Sequence, residues 1–79
     1  MTIILGIKLT EKIKNAVGFQ KILTKFNCVI KMRIGINNSS FFCSQNGIIL
    51  LQIENSEDAF NLERALLNIE EIELQKMIF

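Results

Sequence analysis

Apolar and polar residues alternate along three short stretches of the chain, and a fourth stretch is apolar almost throughout. Alternation at every second residue predicts a β-strand with one apolar face, and we assign such strands to residues 2–9, 28–36 and 72–79. The fourth stretch, residues 47–54, follows a turn signal and precedes a helix start, so we expect a strand buried on both faces or nearly so. A strand of that kind belongs in the middle of a sheet.

Two stretches with helical spacing separate these strands. Thr10 offers a hydroxyl N-cap, and Glu11 places a carboxylate in the first turn. Apolar residues then recur at helical spacing, with lysines on the other face. These apolar residues are Ile13, Ala16, Val17, Leu23 and Phe26. Asn55 and Ser56 cap a second helix in the same way. Its apolar positions form a single stripe that consists of Ala59, Leu62, Leu66 and Ile69.

The order of elements, β-α-β-β-α-β, predicts an α+β fold. With right-handed crossovers, this order gives a ferredoxin-like βαββαβ sandwich in which both helices cover one face of a four-stranded antiparallel sheet. The strands would lie in the order 4-1-3-2, with the first and third in the centre. The whole chain, residues 1–79, is then one domain.

With both helices on one side, the other face of the predicted sheet has no cover from this chain. We expect apolar residues in its centre and polar residues on its edge strands, which is the anatomy of an interface between proteins. A homo-dimer or homo-tetramer formed through the sheet is the favoured interpretation, and a small solvated sheet with scattered aliphatic side chains is the alternative. The residues that we expect at this interface are Ile4, Gly6, Arg33, Ile48 and Leu50.

Charge is nearly balanced overall, at a formal net +1, but it is unevenly distributed along the chain. Lysines and one arginine crowd the first half, and carboxylates crowd the second half. A basic half is compatible with nucleic-acid binding through the basic first helix. It is equally compatible with a basic helix that lies beside an acidic one in the same domain, and we favour this second interpretation.

The sequence lacks the residues of common catalytic and metal sites. It contains no histidine, and its two cysteines, Cys28 and Cys43, do not form a Cys-x-x-Cys motif. No glycine-rich phosphate loop follows a strand, and the carboxylates lie at helix starts and on helix faces. We therefore expect no enzyme activity, no catalytic or metal-binding residues and no cofactor.

The sequence also predicts the cellular compartment of the protein and the kinds of partner that it contacts. We expect the two cysteines to be reduced thiols, with a single disulfide or a metal pair as the alternatives. Together with the lack of a basic leader and of an apolar run of about 18 residues, this predicts a cytoplasmic protein that does not contact a membrane. RNA binding by base stacking would need aromatic residues on the open face of the central strands, and aliphatic residues and glycine stand there. Aromatic residues do occur in the polar stretch 37–46, where Phe41 and Phe42 precede Cys43. They either fold back on the core or contact a partner.

Three short motifs carry a family resemblance. Ile4-Leu5-Gly6-Ile7 in the first strand, Arg33-Ile34-Gly35-Ile36 at the end of the second and Gly47-Ile48-Ile49 at the start of the third resemble the ACT-like iron-only hydrogenase system regulators. The resemblance implies an ACT-like regulatory or ligand-sensing domain that associates through its sheets. It thus favours a non-catalytic module that acts as a homo-oligomer.

The resemblance also directs attention to the turn after the first strand. ACT-type domains bind an amino acid or a similar ligand there, but Lys8-Leu9-Thr10-Glu11 stands in place of their usual acidic-Pro-Gly turn. If a small anionic ligand binds, the positive end of the first helix, with Lys8 and Thr10, is the expected site. The alternative is that Thr10 is a plain helix cap.

Overall fold

A computed structural model of the protein describes residues 1–14, 16–37 and 47–79. Phe41, Phe42 and Cys43 lie outside these residues, so their placement stays open. The described residues form four strands and three helices: β1 (Ile3–Leu9), α1 (Glu11–Lys14), α2 (Val17–Lys25), β2 (Met32–Asn37), β3 (Gly47–Ile53), α3 (Ser56–Leu67) and β4 (Leu74–Ile78).

The four strands form one antiparallel sheet in the order β2-β3-β1-β4. This order confirms the predicted 4-1-3-2 arrangement and the predicted α+β, ferredoxin-like fold. The two most apolar strands, β1 and β3, are central, where a neighbouring strand on each side shields them from water. Ile3 pairs with Ile53 and Leu9 with Gly47, so the two strands run alongside each other over their full lengths.

The hydrophobic core lies between the sheet and the helices. On the sheet side it contains alternate residues of β1 and β3, and on the helix side it contains one stripe from each helix. The predicted stripe of α3 is confirmed, with Ile69 partly buried at its end. The buried residues are Ile3, Leu5, Ile7, Leu9, Ile13, Phe19, Leu23, Ile49, Leu51, Ile53, Ala59, Leu62 and Leu66.

Both predicted helix starts are confirmed by hydrogen bonds. The Thr10 hydroxyl oxygen accepts from the Ile13 backbone N–H at 3.2 Å. The Asn55 side-chain oxygen accepts from the N–H groups of Glu57 at 2.8 Å and Asp58 at 3.2 Å. Each bond satisfies a donor that has no partner within the helix.

 

The first helical region is interrupted, so the prediction of one continuous helix is wrong. Ala16 has an extended backbone conformation (φ −71°, ψ 120°) and separates α1 from α2. The interruption changes which side chains of α2 face the core. Phe19 and Leu23 are buried, whereas Val17, which was expected on the apolar face, is 69% exposed. Helical spacing counted from Ile13 does not continue across an extended residue, because the helix starts again with a new rotation.

Two strands begin later than the alternation predicts. Cys28 is exposed, and the residues after α2 form a turn in which the N–H groups of Val29 and Ile30 bond to the Phe26 carbonyl. β2 therefore starts at Met32 rather than at residue 28. β4 starts at Leu74 rather than at residue 72, because the Ile72 N–H bonds back to the Ile69 carbonyl.

Candidate functional site

The candidate site is the face of the sheet that points away from the helices, which we call the open face. In β1 the buried residues alternate with Ile4, Gly6 and Lys8, which therefore point to the opposite side. Residues paired directly across two strands share a face. The register thus extends the open face across the sheet from Gly6 to Leu50 and Ile34 on one side, and from Gly6 to Gln75 on the other.

Among the side chains that the structure describes, six apolar ones belong to the open face. Three rows of paired residues bring them onto one surface at the usual strand spacing of about 4.8 Å, with the polar Gln52 in one of the rows. Exposure reaches 46% at Ile48, 42% at Ile34 and 54% at Met77. The six residues are Ile4, Met32, Ile34, Ile48, Leu50 and Met77.

The expectation that β3 is buried on both faces is wrong. Burial alternates along this strand, with Ile49, Leu51 and Ile53 buried and Ile48 exposed. β3 is apolar on both sides, but only the helix side is covered by the described residues. An apolar strand in the centre of a sheet is therefore no proof that both of its faces are covered within one chain.

Arg33 lies on the opposite side of the sheet from the one predicted. It pairs with Leu51, which is buried under the helices, so Arg33 belongs to the helix side and its neighbour Ile34 belongs to the open face. The prediction assumed that the apolar residues of β2 face the helices of the same chain. The helices instead pack on β1 and β3, and the apolar residues of β2 join the open face.

Gly6 lies in the middle of the open face, as predicted. A Cβ atom built at this position would lie 3.5 Å from Leu50 Cδ2 and 3.9 Å from the Gln75 carbonyl oxygen, which are ordinary contacts. The glycine is therefore not required by packing within the chain. It lowers the surface at the centre of the open face, where another molecule can approach closely.

Lys8 and Thr10, the predicted ligand-binding residues, each have a partner within the chain. The Lys8 ammonium lies 3.7 Å from a Glu73 carboxylate oxygen at one end of the open face. The Thr10 hydroxyl oxygen caps α1, which is only four residues long. The two groups thus serve different local contacts, and a ligand role for them stays a prediction.

Charged residues from the two halves of the chain meet in ion pairs. Besides the pair of Lys8 and Glu73, Lys12 Nζ lies 2.9 Å from Glu71 Oε2. The hydrogen bond to Glu71 raises the pKa of Lys12, and attraction to Glu71 and Glu70 adds to it. These contacts agree with the interpretation that basic and acidic segments lie side by side in one domain.

The lysines of the predicted basic helix are divided between two helices. Lys12 lies on α1 and is paired with Glu71, whereas Lys21 and Lys25 lie exposed on α2. The Lys25 ammonium also lies 5.8 Å from the centre of the Phe26 ring. The interruption at Ala16 therefore breaks up the continuous basic surface that the sequence predicts.

A second feature, which the alternation does not reveal, is a cavity of about 290 Å³ between α3 and the β1–β4 edge of the sheet. It lies on the helix side, away from the open face. Phe60 and Ile78 line it with half-exposed rings and methyl groups, and the ion pair between Lys76 and Glu63 lies beside them.

The described part of the chain contains no helix with the length and apolar character that crossing a membrane requires. The sequence matches no protein-family model, and it matches no curated protein sequence. Its fold is similar to the solved structure of the uncharacterized protein TM1266 from Thermotoga maritima, with a TM-score of 0.71 and 22% sequence identity. The similarity covers 96% of this chain and 92% of that chain, so the two share the small α+β fold.

Proposed function

We propose that this protein is a non-catalytic regulatory or ligand-sensing module of the ACT-like kind, which acts as a homo-oligomer through the open face. The observation that carries the proposal is the contiguous apolar surface of the open face, which no described residue covers. Large contiguous apolar patches on a protein surface mark sites of interaction. The three motifs that resemble those of the ACT-like regulators support the same proposal, and from this resemblance we propose a link to an iron-only hydrogenase system.

The apolar side chains of the open face can stabilise a pair of copies. Four of the six, Met32, Ile34, Ile48 and Met77, are 39–54% exposed, so burying the rest of each contributes about 0.7–1.5 kcal/mol. Over these four residues of two copies this amounts to roughly 6–12 kcal/mol, against about 4–15 kcal/mol for the lost freedom of two separate molecules. Pairing is therefore favourable when most of the six residues are buried together.

The size of the open face limits the strength of such a pair. Four strands span roughly 19 Å across the sheet, and five to seven residues extend roughly 20 Å along it, a flat area of roughly 400 Å². A standard interface buries about 800 Å² of accessible surface per partner. Side chains that project from the sheet make the accessible surface larger than the flat area. An interface formed by one open face is still at the small end of the range of protein interfaces. We expect its population to depend on protein concentration.

Replacing Ile48 with lysine tests the proposal. Ile48 is 46% exposed, so Ile48→Lys adds a charge to the open face at small cost to the isolated chain. We expect the variant to lose face-to-face pairing, measured by analytical ultracentrifugation at micromolar concentrations. The matched control is Val17→Lys, because Val17 is also exposed but lies on α2, away from the sheet. A native protein that stays monomeric, or pairing that survives Ile48→Lys, would contradict the proposal.

The sensing and regulatory parts need measurements of their own. Native mass spectrometry of the purified assembly should reveal a small molecule bound to the oligomer, which denaturation then releases. In a host that carries an iron-only hydrogenase, Ile48→Lys should change the level of hydrogenase activity, whereas Val17→Lys should not. Nucleic-acid binding is the alternative proposal, and the exposed Lys21 and Lys25 of α2 are the residues that favour it.

A further inference from the structure

The free edge of β4 is a second surface that can bind another molecule, because it carries backbone N–H and C=O groups that β1 does not pair. β4 is the last strand of the sheet, with β1 on one side and no described strand on the other. The Lys8 N–H donates to the Glu73 carbonyl at 3.0 Å, and the Phe79 N–H donates to the Thr2 carbonyl at 2.8 Å. Because backbone groups alternate in direction along an antiparallel strand, those of Leu74, Lys76 and Ile78 point away from β1. A further strand can hydrogen-bond to them.

Exposed apolar side chains concentrate around this free edge. Five of the ten large apolar residues that are exposed in the described part of the chain lie on β4, at its end or directly beside it. Some of them surround the cavity of about 290 Å³ between α3 and β4. The five residues are Met1, Phe60, Met77, Ile78 and Phe79.

Lys76 lies in the middle of the edge strand, a position where lysine usually prevents pairing with another strand. Here its ammonium lies 3.0 Å from the Glu63 Oε2 atom of α3. The charge is therefore compensated within the chain. Lys76 is a weaker obstacle to strand pairing than an uncompensated lysine would be.

We propose that β4 pairs antiparallel with β4 of a second copy of this chain, about a twofold axis at Lys76. The two sheets then join into one continuous sheet. The outward backbone groups of β4 in each copy hydrogen-bond to those of the other copy, so neither copy keeps a free β4 edge. This proposal concerns a different surface from the open face and does not depend on face-to-face pairing.

The register follows from which residues point outward. A twofold axis perpendicular to the sheet keeps each face on its own side, so the outward residues must pair with each other. With Lys76 on the axis, Leu74 pairs with Ile78 and about six backbone hydrogen bonds form. With Gln75 on the axis, only about four form within the strands.

Side-chain contacts favour the same register. Leu74 of the second copy would lie opposite Ile78, next to the cavity that Phe60 and Ile78 line. The unfavourable contact is between Lys76 of one copy and Lys76 of the other. In each copy, the Glu63 carboxylate compensates the charge of Lys76. The register centred on Lys76 therefore gains both hydrogen bonds and apolar contact.

Disulfide cross-linking tests the axis directly. In a background with Cys28→Ser and Cys43→Ser, Lys76→Cys places two thiols across the axis within the distance that a disulfide spans. We expect this variant to form a covalent dimer almost completely under mild oxidation. The control is Gln75→Cys on the same strand, whose Cα atoms would be about 8 Å apart and too distant for a disulfide. Absence of the Lys76→Cys dimer, or equal cross-linking of both variants, would overturn the proposal.

The mass of the assembly distinguishes this interface from the open face. Ile78→Lys should abolish edge pairing and halve the mass of an assembly that uses both surfaces, and it should leave face-to-face pairing intact. Ile48→Lys should do the reverse, and the two changes together should give a monomer. Val17→Lys serves as the control for both. An Ile78→Lys variant that keeps the native mass at every concentration would contradict edge pairing, and the edge would then be available to a strand of another protein.

Discussion

The two faces of the sheet are made of the same kinds of residues but have different surroundings. Ile3 and Leu51 are buried under the helices, whereas their sequence neighbours Ile4 and Leu50 lie on the open face and are only half-buried. A chain of this size needs one apolar face of its sheet to form a core. The apolar residues on the second face are not required for that core, which is why we propose that they contact another molecule.

Adjacent leucines in β3 give the largest expected difference between the faces. Leu51→Ala removes a fully buried side chain and should lower the free energy of unfolding by about 2–5 kcal/mol at any protein concentration. Leu50→Ala should lower it by less than about 1.5 kcal/mol in dilute solution, because this side chain is half-buried. Urea denaturation at low and high protein concentrations measures both.

Concentration is the decisive variable in that comparison. If the open face pairs, the loss caused by Leu50→Ala grows as the protein becomes more concentrated, since pairing adds to stability by mass action. Equal losses for Leu50→Ala and Leu51→Ala in dilute solution would show that the two faces do not differ as described.

A smaller effect is expected at Gly6, in the centre of the open face. None of the described glycines has a positive φ, and a Cβ at Gly6 makes only ordinary contacts. Gly6→Ala should therefore stabilise the isolated chain by about 0.4–1 kcal/mol, because the unfolded chain loses freedom. It should also weaken face-to-face pairing, because the added methyl group occupies the surface that a second copy approaches. Thermal unfolding in dilute solution and sedimentation equilibrium measure the two effects.

Gly35→Ala is the matched control for Gly6→Ala. Gly35 pairs with Ile49 and so lies on the helix side, and a Cβ there meets no atom within 4 Å. We expect a similar gain in stability without a change in pairing. If both alanine variants pair as well as the native protein, the centre of the open face is not in contact with a second copy.

The smallest effect concerns the ion pair of Lys12 and Glu71 at the protein surface. The hydrogen bond to Glu71 raises the pKa of Lys12 above its ordinary value of 10.5. The contribution of Lys12 to stability is therefore complete below pH 10.5 and is lost as the pH rises through the pKa of the folded protein. The difference between native protein and Lys12→Gln, measured by urea denaturation, should shrink as the pH rises above 10.5 and disappear once Lys12 is deprotonated in the folded protein.

Lys21→Gln is the control for Lys12→Gln, since Lys21 is exposed on α2 and forms no ion pair with a described residue. We expect Lys21→Gln to leave the free energy of unfolding nearly unchanged, because no ion pair with a described residue is lost. A loss at Lys12 as large as that at Leu51 would mean that surface charge, rather than apolar burial, holds the helix layer on the sheet.

Local patterns in the sequence predicted most of the fold. Alternation located three strands, and a continuous apolar run located the fourth. Hydroxyl and amide side chains located the helix starts, and the order of elements led to the strand order. Ile4, Gly6, Ile48 and Leu50 were placed on the open face, where the structure has them. These features depend on residues close together in the chain, or on general rules of chain connection.

The errors concern features that depend on distant residues. Spacing alone did not reveal that Ala16 is extended, so Val17 was assigned to the apolar face of one continuous helix. Arg33 was placed on the open face, and its neighbours Met32 and Ile34 were missed. The cavity between α3 and β4 has no local signal, because it depends on how a helix and an edge strand separated in sequence lie together.

The sequence by itself determined that each strand has two sets of residues and which residues belong to each set, because side chains alternate along any extended chain. Only the tertiary structure decided which set faces the helices. That choice depends on how far two short helices reach across a four-stranded sheet, and here they pack on β1 and β3. The apolar set of β2 is therefore on the open face, and the polar set that contains Arg33 is on the helix side.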